Sequence, residues 1–478
     1  MDENVMRVLE LLQEGKITAQ EAEMLIAALR GGSKTATSSE TSKESQTKSE
    51  QKAEEKQTSS AHSPFAGLSD LGERISKAIS KVDVDKIVER VQEQLRLATK
   101  SGGRFSSTFV ARMRTWTKLG TLRPENESNL PERTETQQQE FYLASGANVS
   151  VDNPLGDVKI TGVADAPAKV VVKSTVWAPN EIEIKNRLER IETEISGTDS
   201  RLEIRIEAPE DFDQGTVDLE ITVPRALGMT HVKTRFGKVE IAHVDGTVEV
   251  VTDSGSVSLE DIGGNVRVQT NSDSIHLKQI RGTASAATKS GNIEASDIAR
   301  GLVANTASGD IRAKAIEGER LECKSVSGDV RVEEVGTKSP MEIVCESISG
   351  QVYLSNVHGQ ITLKIVSGNI FANVGRTERF QAQSVSGDIS VDFQTPFSGA
   401  LQASTVSGDV DIGLPPESHL RVTLGTISGT LRCEHDAREV TATGTLWTGT
   451  LGEGTGTLNV QTTSGDVHIT RVQHTSPV

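Results

Sequence analysis

The C-terminal half of the chain repeats itself, and a repeat limits the available folds more than any single motif does. From Gly237 onward, turn positions fall nine residues apart, at Gly237, Gly246, Gly255, Gly264, Asp273, Gly282 and Gly291. Gly301 and Gly309 continue the series with one-residue slips. Alternate turns carry a fuller signature: Ser254-Gly-Ser-Val, Ser290-Gly-Asn-Ile, Ser308-Gly-Asp-Ile and Ser327-Gly-Asp-Val. It recurs at Ser349, Ser367, Ser386, Ser407, Ser428 and Ser464. The full period of about 18 to 22 residues is too short for a β-propeller blade, which takes about 40 residues and four strands.

Each part of the signature has a physical reason. A strand that turns sharply needs a residue tolerant of positive φ, which glycine supplies. Gly237, Gly255, Gly291, Gly309, Gly328, Gly350, Gly368, Gly387, Gly408, Gly429 and Gly465 are therefore read as structural turns. The flanking Ser and Asp or Asn side chains are short enough to satisfy turn backbone groups. Positions two and four after each glycine are apolar, as in Val330 and Val332, Ile389 and Val391, or Val410 and Ile412. Positions three, five and seven before it are small or apolar: Ser325, Cys323 and Leu321; Ser384, Ala382 and Phe380; Thr405, Ala403 and Leu401. Interior positions that recur in register predict a parallel β-solenoid over 237–472, one coil per repeat. Some twelve coils at about 4.8 Å each would make a rod of roughly 55–60 Å.

Composition agrees. Aromatic residues are only 3% of the chain, against 42 glycines, which suits thin repetitive β-structure filled by Val, Ile, Leu, Ala and Thr. Ahead of the repeat, 141–236 shows period-two alternation in Val149–Val151, Val158–Ile160, Val170–Val172, Leu202–Ile206 and Val217–Ile221. This is an irregular β-rich lead-in, with one short amphipathic helix over Glu181 to Ile191.

The N-terminal third is different. Val5, Val8, Leu9 and Leu12 share a helical face, and Thr18 with Glu21 forms a capping box for a second helix bearing Ala22, Leu25, Ile26 and Leu29. This hairpin, residues 1–32, is too small to bury both faces alone, so it is expected to self-associate or to dock on a protein partner. Residues 33–63 are Ser, Thr, Lys, Glu and Gln with almost nothing apolar, which predicts a disordered tether. Helical periodicity returns over 64–120. Between Glu93 and Glu125 there is no acidic residue, and on a helical wheel Phe105, Phe109, Met113 and Trp116 lie opposite Arg104, Arg114 and Lys118, with Arg112 in the same basic stretch. Such a segment suits an anionic membrane surface. It also suits packing of its apolar stripe on a neighbouring domain with the charges as a solvated face, or an RNA-binding helix, and these readings stay open here.

The repeats, with Asp218-Leu-Glu-Ile-Thr-Val-Pro224 and the Thr234-Arg-Phe-Gly237 turn before them, resemble the candidate-adhesin β-strand-repeat family of bacteria. The stretch Glu14 to Leu29 resembles the SHOCT-like N-terminal hairpin of its YvlB/LiaX group. The resemblance implies no catalytic residues and a link to cell-envelope stress and antimicrobial-peptide sensing. The helical insert at 64–120 departs from the family pattern.

Chemistry is expected to be absent. Asp310, Asp329, Asp388, Asp409 and Asp466 share one turn position, but other coils place Ser256, Asn292, Gln351, Asn369 or Thr430 there, which is no calcium shell. Cys323 and Cys345 should stack inward as small hydrophobes, and with Cys433 they form no disulfide framework. No Walker A, HExxH or GxSxG motif is present. No metal, cofactor or catalytic residue is therefore assigned. The formal charge of −16 opposes nucleic acid and suits a cationic peptide. The favoured expectation is a non-enzymatic interaction or scaffold protein in envelope-stress sensing. The alternatives are a surface adhesin or ligand-binding solenoid and, least favoured, a polysaccharide-active β-helix. An acidic, amphipathic N-terminus points to the cytoplasm, with peripheral membrane contact; a cell-surface location would need an export signal that it does not advertise.

Overall fold

The computed structural model describes residues 130–472, apart from residues 165, 210 and 211. The hairpin, the tether and the helical region 64–120 lie outside the described residues. What is described is a parallel β-solenoid with two strands per coil. A back strand leads into each Ser-Gly corner and a front strand leaves it, so the coils build a back sheet and a front sheet with the core between them.

The corners form one column. All eleven predicted turn glycines have φ between +106° and +154°. A Cβ on any one of them would run into the backbone of the corner below: at Gly309 it would stand 2.1 Å from the Gly291 carbonyl oxygen, and at Gly387 it would stand 2.0 Å from that of Gly368. Glycine is thus required twice, by conformation and by space. Successive corners are tied by backbone bonds such as Gly309 N–H to Ser327 O (2.9 Å) and Gly387 N–H to Ser407 O (2.8 Å). Asp273, at φ +80°, is the one corner of this series without glycine.

The inward positions fall as the repeat predicts. Leu321, Cys323, Phe380, Ala382, Val330, Val332, Ile389 and Val410 are fully buried, and Cys323 sits in register with Cys345 one coil on. Several inward hydroxyls three places before a corner donate to the glycine carbonyl of the neighbouring coil, as Thr306 does to Gly291 (3.2 Å) and Thr405 to Gly387 (3.2 Å), whereas those of Ser347 and Ser384 are buried without a partner. Where that partner recurs with the coil, a polar core position is tolerated.

Three features depart from the simple stack. The fifth residue of successive front strands, from His243 through Asp261, Gln279, Asp297, Ala315 and Glu334 to Asn356, lies in the left-handed region at φ between 52° and 60°. This bulge skips one residue and returns the sixth, such as Ile262 or Ile298, to the core. Secondly, the coils are out of sequence order at both ends. The strands Arg201–Glu207 and Gly215–Pro224 pair outside the earlier Ala147–Asn153 and Val158–Val163. At the far end the coil cornered at Gly465 slides between those of Gly408 and Gly429. Thirdly, antiparallel strands cover the ends, where a stack of coils would otherwise offer bare edges. Glu132–Phe141 pairs with Ala168–Trp177 at one end, and Leu446–Leu451 pairs with Leu420–Gly425 at the other. The lead-in therefore starts at Glu132 rather than 141. Its helix spans Glu181–Leu188, capped by the Asn180 side chain, which accepts from Glu183 N–H (3.0 Å).

Candidate functional surface

The acidic turn column is structural. Asp409 N–H donates to Asp388 Oδ1 (2.9 Å), Asp466 N–H to Asp409 Oδ1 (2.7 Å) and Gln351 N–H to Asp329 Oδ1 (2.8 Å). Asn292 and Asn369 do the same work for Asp310 and Asp388. Each side chain caps the amide of the next coil, so what recurs is an acceptor oxygen and not a charge. Among the described residues no group of three His, Cys, Asp or Glu side chains is arranged to hold a metal ion. The Cys323 thiol is pushed well up, by its hydrogen bond with Cys345 and by burial, which leaves it protonated and inert.

The outer face of the front sheet is more informative. Its first coils pair charges across the rungs: Lys278 with Glu260 (2.8 Å), His276 with Glu294 (3.2 Å) and Arg312 with Glu294 (3.4 Å). At the third position after the corner this ladder gives way to Arg331, Tyr353 and Phe371 on successive coils. Arg331 lies over the Tyr353 ring at 5.1 Å, and Tyr353 stacks on Phe371 with centroids 5.3 Å apart and planes 13° from parallel. The Tyr353 hydroxyl donates to Gln351 Oε1. Phe371 remains 38% exposed.

Beside this stack the surface turns acidic. A shallow hollow of about 340 Å³ is lined by Arg331, Glu333, Tyr353, Phe371, Asn373 and Asp392. Asp392 leans over Gly413, where a Cβ would meet its Oδ1 at 2.1 Å. Asp411 follows on the next coil, in register with Ser390. Partial burial raises the Asp411 carboxyl above the ordinary range, and Asp409, Asp388 and Asp392 add to the rise while His468 opposes it. The carboxylates gathered around Asp411 favour an added positive charge beside it.

A second acidic recess of about 1160 Å³ lies at the opposite corner, where the 22-residue repeat makes a longer excursion. Glu317 holds it down, accepting from Thr337 Oγ1 (2.7 Å) and Lys338 N–H (3.2 Å). Glu317, Glu319, Glu342 and Glu378 line it, with Lys338 and Arg376. Elsewhere on that corner Asp261 binds His243 (2.9 Å), Arg225 (2.8 Å) and Arg281 (3.0 Å), an ion cluster that fastens three coils.

The candidate membrane-interface residues Arg104, Phe105, Phe109, Arg112, Met113, Arg114, Trp116 and Lys118 lie outside the described residues. The predicted turn glycines all fall on one column, bonded to neighbouring backbone and, at several corners, to an inward hydroxyl. Sequence reasoning missed Tyr353 and Phe371. Their signal was available, since both stand three places after a corner glycine, where the alternation turns side chains outward.

The coils define a parallel β-solenoid. Residues 284–470 match the family model described as Toastrack DUF4097, and residues 3–34 match the SHOCT-like domain model. No curated protein matches the chain. Among solved structures it is similar to a candidate cell adhesion protein from Clostridium sporogenes, at 9% identity, with 71% of this chain and 100% of that one covered and a TM-score of 0.16. A candidate adhesin from Bacteroides fragilis gives 8% identity, 70% and 97% coverage and a TM-score of 0.22. A candidate lipid-binding protein from Parabacteroides distasonis gives 11% identity, 71% and 97% coverage and a TM-score of 0.23. The fold assignment rests on the coil geometry and the family model, not on these likenesses.

Proposed function

We propose that this chain is a non-enzymatic interaction protein whose solenoid takes a cationic, amphipathic peptide on the outer face of its front sheet, in the setting of cell-envelope stress. The observation that carries the reading is the Tyr353–Phe371 stack at the edge of the Asp392 and Asp411 carboxylates. An apolar side chain of the peptide covers Phe371, and Lys or Arg side chains meet the acidic hollow. Aromatic anchors are where binding energy concentrates in interfaces. Rigidity helps as well, because a coil tied on both sides loses little entropy when a ligand arrives.

The test is titration of the full chain with a short Lys-rich amphipathic peptide. Phe371→Ala is expected to weaken binding about five- to tenfold, a loss of about 1–1.4 kcal/mol. Asp392→Asn with Asp411→Asn should weaken it further and flatten its salt dependence. Unchanged affinity in both variants would remove the proposed site. The adhesin reading predicts a different fact, that protease added outside intact cells reaches the solenoid.

A further inference from the structure

The strand Glu132–Phe141 covers the first coil but leaves its own outer edge open. It is ten residues long, exposed almost throughout, and pairs with Ala168–Trp177 alone, without a register shift. Ala178 N–H donates to Pro131 O (3.1 Å), which fixes the alternation: odd-numbered residues of the strand bond to Ala168–Trp177. The amides and carbonyls of Thr134, Thr136, Gln138 and Glu140 therefore point to the open side. The edges at the far end are blunted by comparison. Leu431–Cys433 has three residues, and Ala437–Ala442 shifts register between Arg438 and Thr441, with Glu439 at φ 55°. The back sheet also stops one strand short. Its last strand, Glu192–Thr198, pairs with Arg201–Glu207 at the level where Ala168–Trp177 pairs with Gly215–Pro224, so Glu132–Phe141 overhangs.

We infer that a second copy of this chain pairs with this edge, antiparallel and about a two-fold axis at Gln137. The two longest two-fold registers centre on Thr136 and Gln137. The first sets Glu132 opposite Glu140, a like-charge pair that the symmetry repeats; the second opposes no like charges. About Gln137, Arg133 meets Phe141 of the second copy, Glu135 meets Gln139, and Thr134 meets Glu140. All four open-edge residues then sit in hydrogen-bonded pairs, giving about eight inter-strand bonds. The overhang holds the two back sheets about 14 Å apart, so they do not collide. The exposed apolar surface agrees. Among the described residues Ile182 and Tyr142 are the most exposed large hydrophobic side chains, at 75% and 71%. Tyr142 follows the strand at one end, and Ile182 lies in the helix just past Trp177, which faces Glu132 at the other. Two-fold pairing brings the Tyr142 end of each copy to the Ile182 end of the other. The joined front sheets present both outer faces on one side. Phe371 lies eleven strands from the edge, so the two hollows stand about 110 Å apart along the joined sheet. The pairing itself is independent of what those hollows bind.

Sedimentation of the full chain reads the pairing, which should show as a concentration-dependent equilibrium of monomer and dimer. Gln138→Pro removes an open-edge amide and no bond to Ala168–Trp177, so the solenoid's thermal transition should persist. It takes away about two of the eight bonds and should weaken dimerisation at least about tenfold, whereas Gln138→Ala should dimerise as the wild type does. A chain that stays monomeric up to about 100 µM overturns the inference, as does equal dimerisation of Gln138→Pro and wild type. A second readout fixes the register by oxidation in a Cys433→Ser background, which removes the half-buried native thiol. Gln137→Cys should form an inter-chain disulfide, because residue 137 faces its own copy with about 4.5 Å between Cα atoms. Glu135→Cys and Gln139→Cys should each stay unlinked alone and link when mixed, since those positions oppose one another. Equal linkage at 135, 137 and 139 assigns association to the hairpin of residues 1–32, and linkage at none of them leaves the edge unpaired; either overturns the inference.

Discussion

Substituting a corner glycine should break the rod at one coil. Gly387→Ala places a Cβ 2.0 Å from the Gly368 carbonyl oxygen and 2.6 Å from its carbon, at a φ of +137°. The conformation alone costs about 1–3 kcal/mol for a side chain, and relieving the clash by overpacking costs about 1–3 more. Moving the coils apart also stretches the bond from Gly387 N–H to Ser407 O (2.8 Å) and that from Asp388 N–H to Asn369 Oδ1 (2.9 Å). The expected loss is about 3–5 kcal/mol. Gly444→Ala is the control, because nothing lies within 4 Å of a Cβ there and it should change stability by less than about 0.5 kcal/mol. Urea titration followed by far-UV circular dichroism compares the two. Since each coil touches only its neighbours, the Gly387 loss should appear in the interfaces on either side of that coil. A difference between the variants smaller than about 1 kcal/mol would refute the argument that corners are packed backbone to backbone.

Further outcomes follow from the same geometry. Asp273→Gly should stabilise by about 0.5–1 kcal/mol, since it removes a side chain from positive φ at a corner, and a thermal melt checks it. Asp388→Asn should be neutral and Asp388→Ala should cost about 1 kcal/mol, because the Asp409 amide needs only an oxygen; an equal loss in both, or a loss on adding EDTA, would point to a metal after all. The Asp261 carboxyl is held down to about 2, first by its hydrogen bond with His243 and then by Arg281 and Arg225, with partial burial opposing. Its stabilising contribution is therefore fully present above the unfolded value of about 3.9 and is lost as pH falls from there through 2. Acid titration of Asp261→Asn should lack that component. Under native conditions the half-buried Cys433 should react with a maleimide, slowly because burial pushes its thiol up, while Cys323 and Cys345 wait for unfolding.

Much of the solenoid was legible because its information is periodic. The corner glycines, the inward positions and the Cys323–Cys345 stack each repeat with the coil, so one correct reading of a turn places all its copies. The left-handed column was also within reach. Front strands such as Val257-x-Leu259-x-x-Ile262 skip two residues instead of one before the last apolar position, which is what a bulge leaves in the alternation. The strand Glu132–Phe141 was not legible: it is exposed along nearly all its length, so no apolar pattern marks it. The aromatic stack was half-legible, since spacing turns Tyr353 and Phe371 outward but neither spacing nor composition says that they touch.

The sequence by itself determined the coil: its length, its corners, its filling and the acceptor that each turn hands to the next. These are local or nearest-neighbour demands, met by residues a fixed distance apart along the chain. Only the tertiary structure decided the order of the coils at the two ends, where Gly465 rests on Gly408 and Gly429 rests on Gly465. All coils present similar edges, so the repeat does not encode which edge a strand will choose; that choice depends on chain reach and on covering the last open edge.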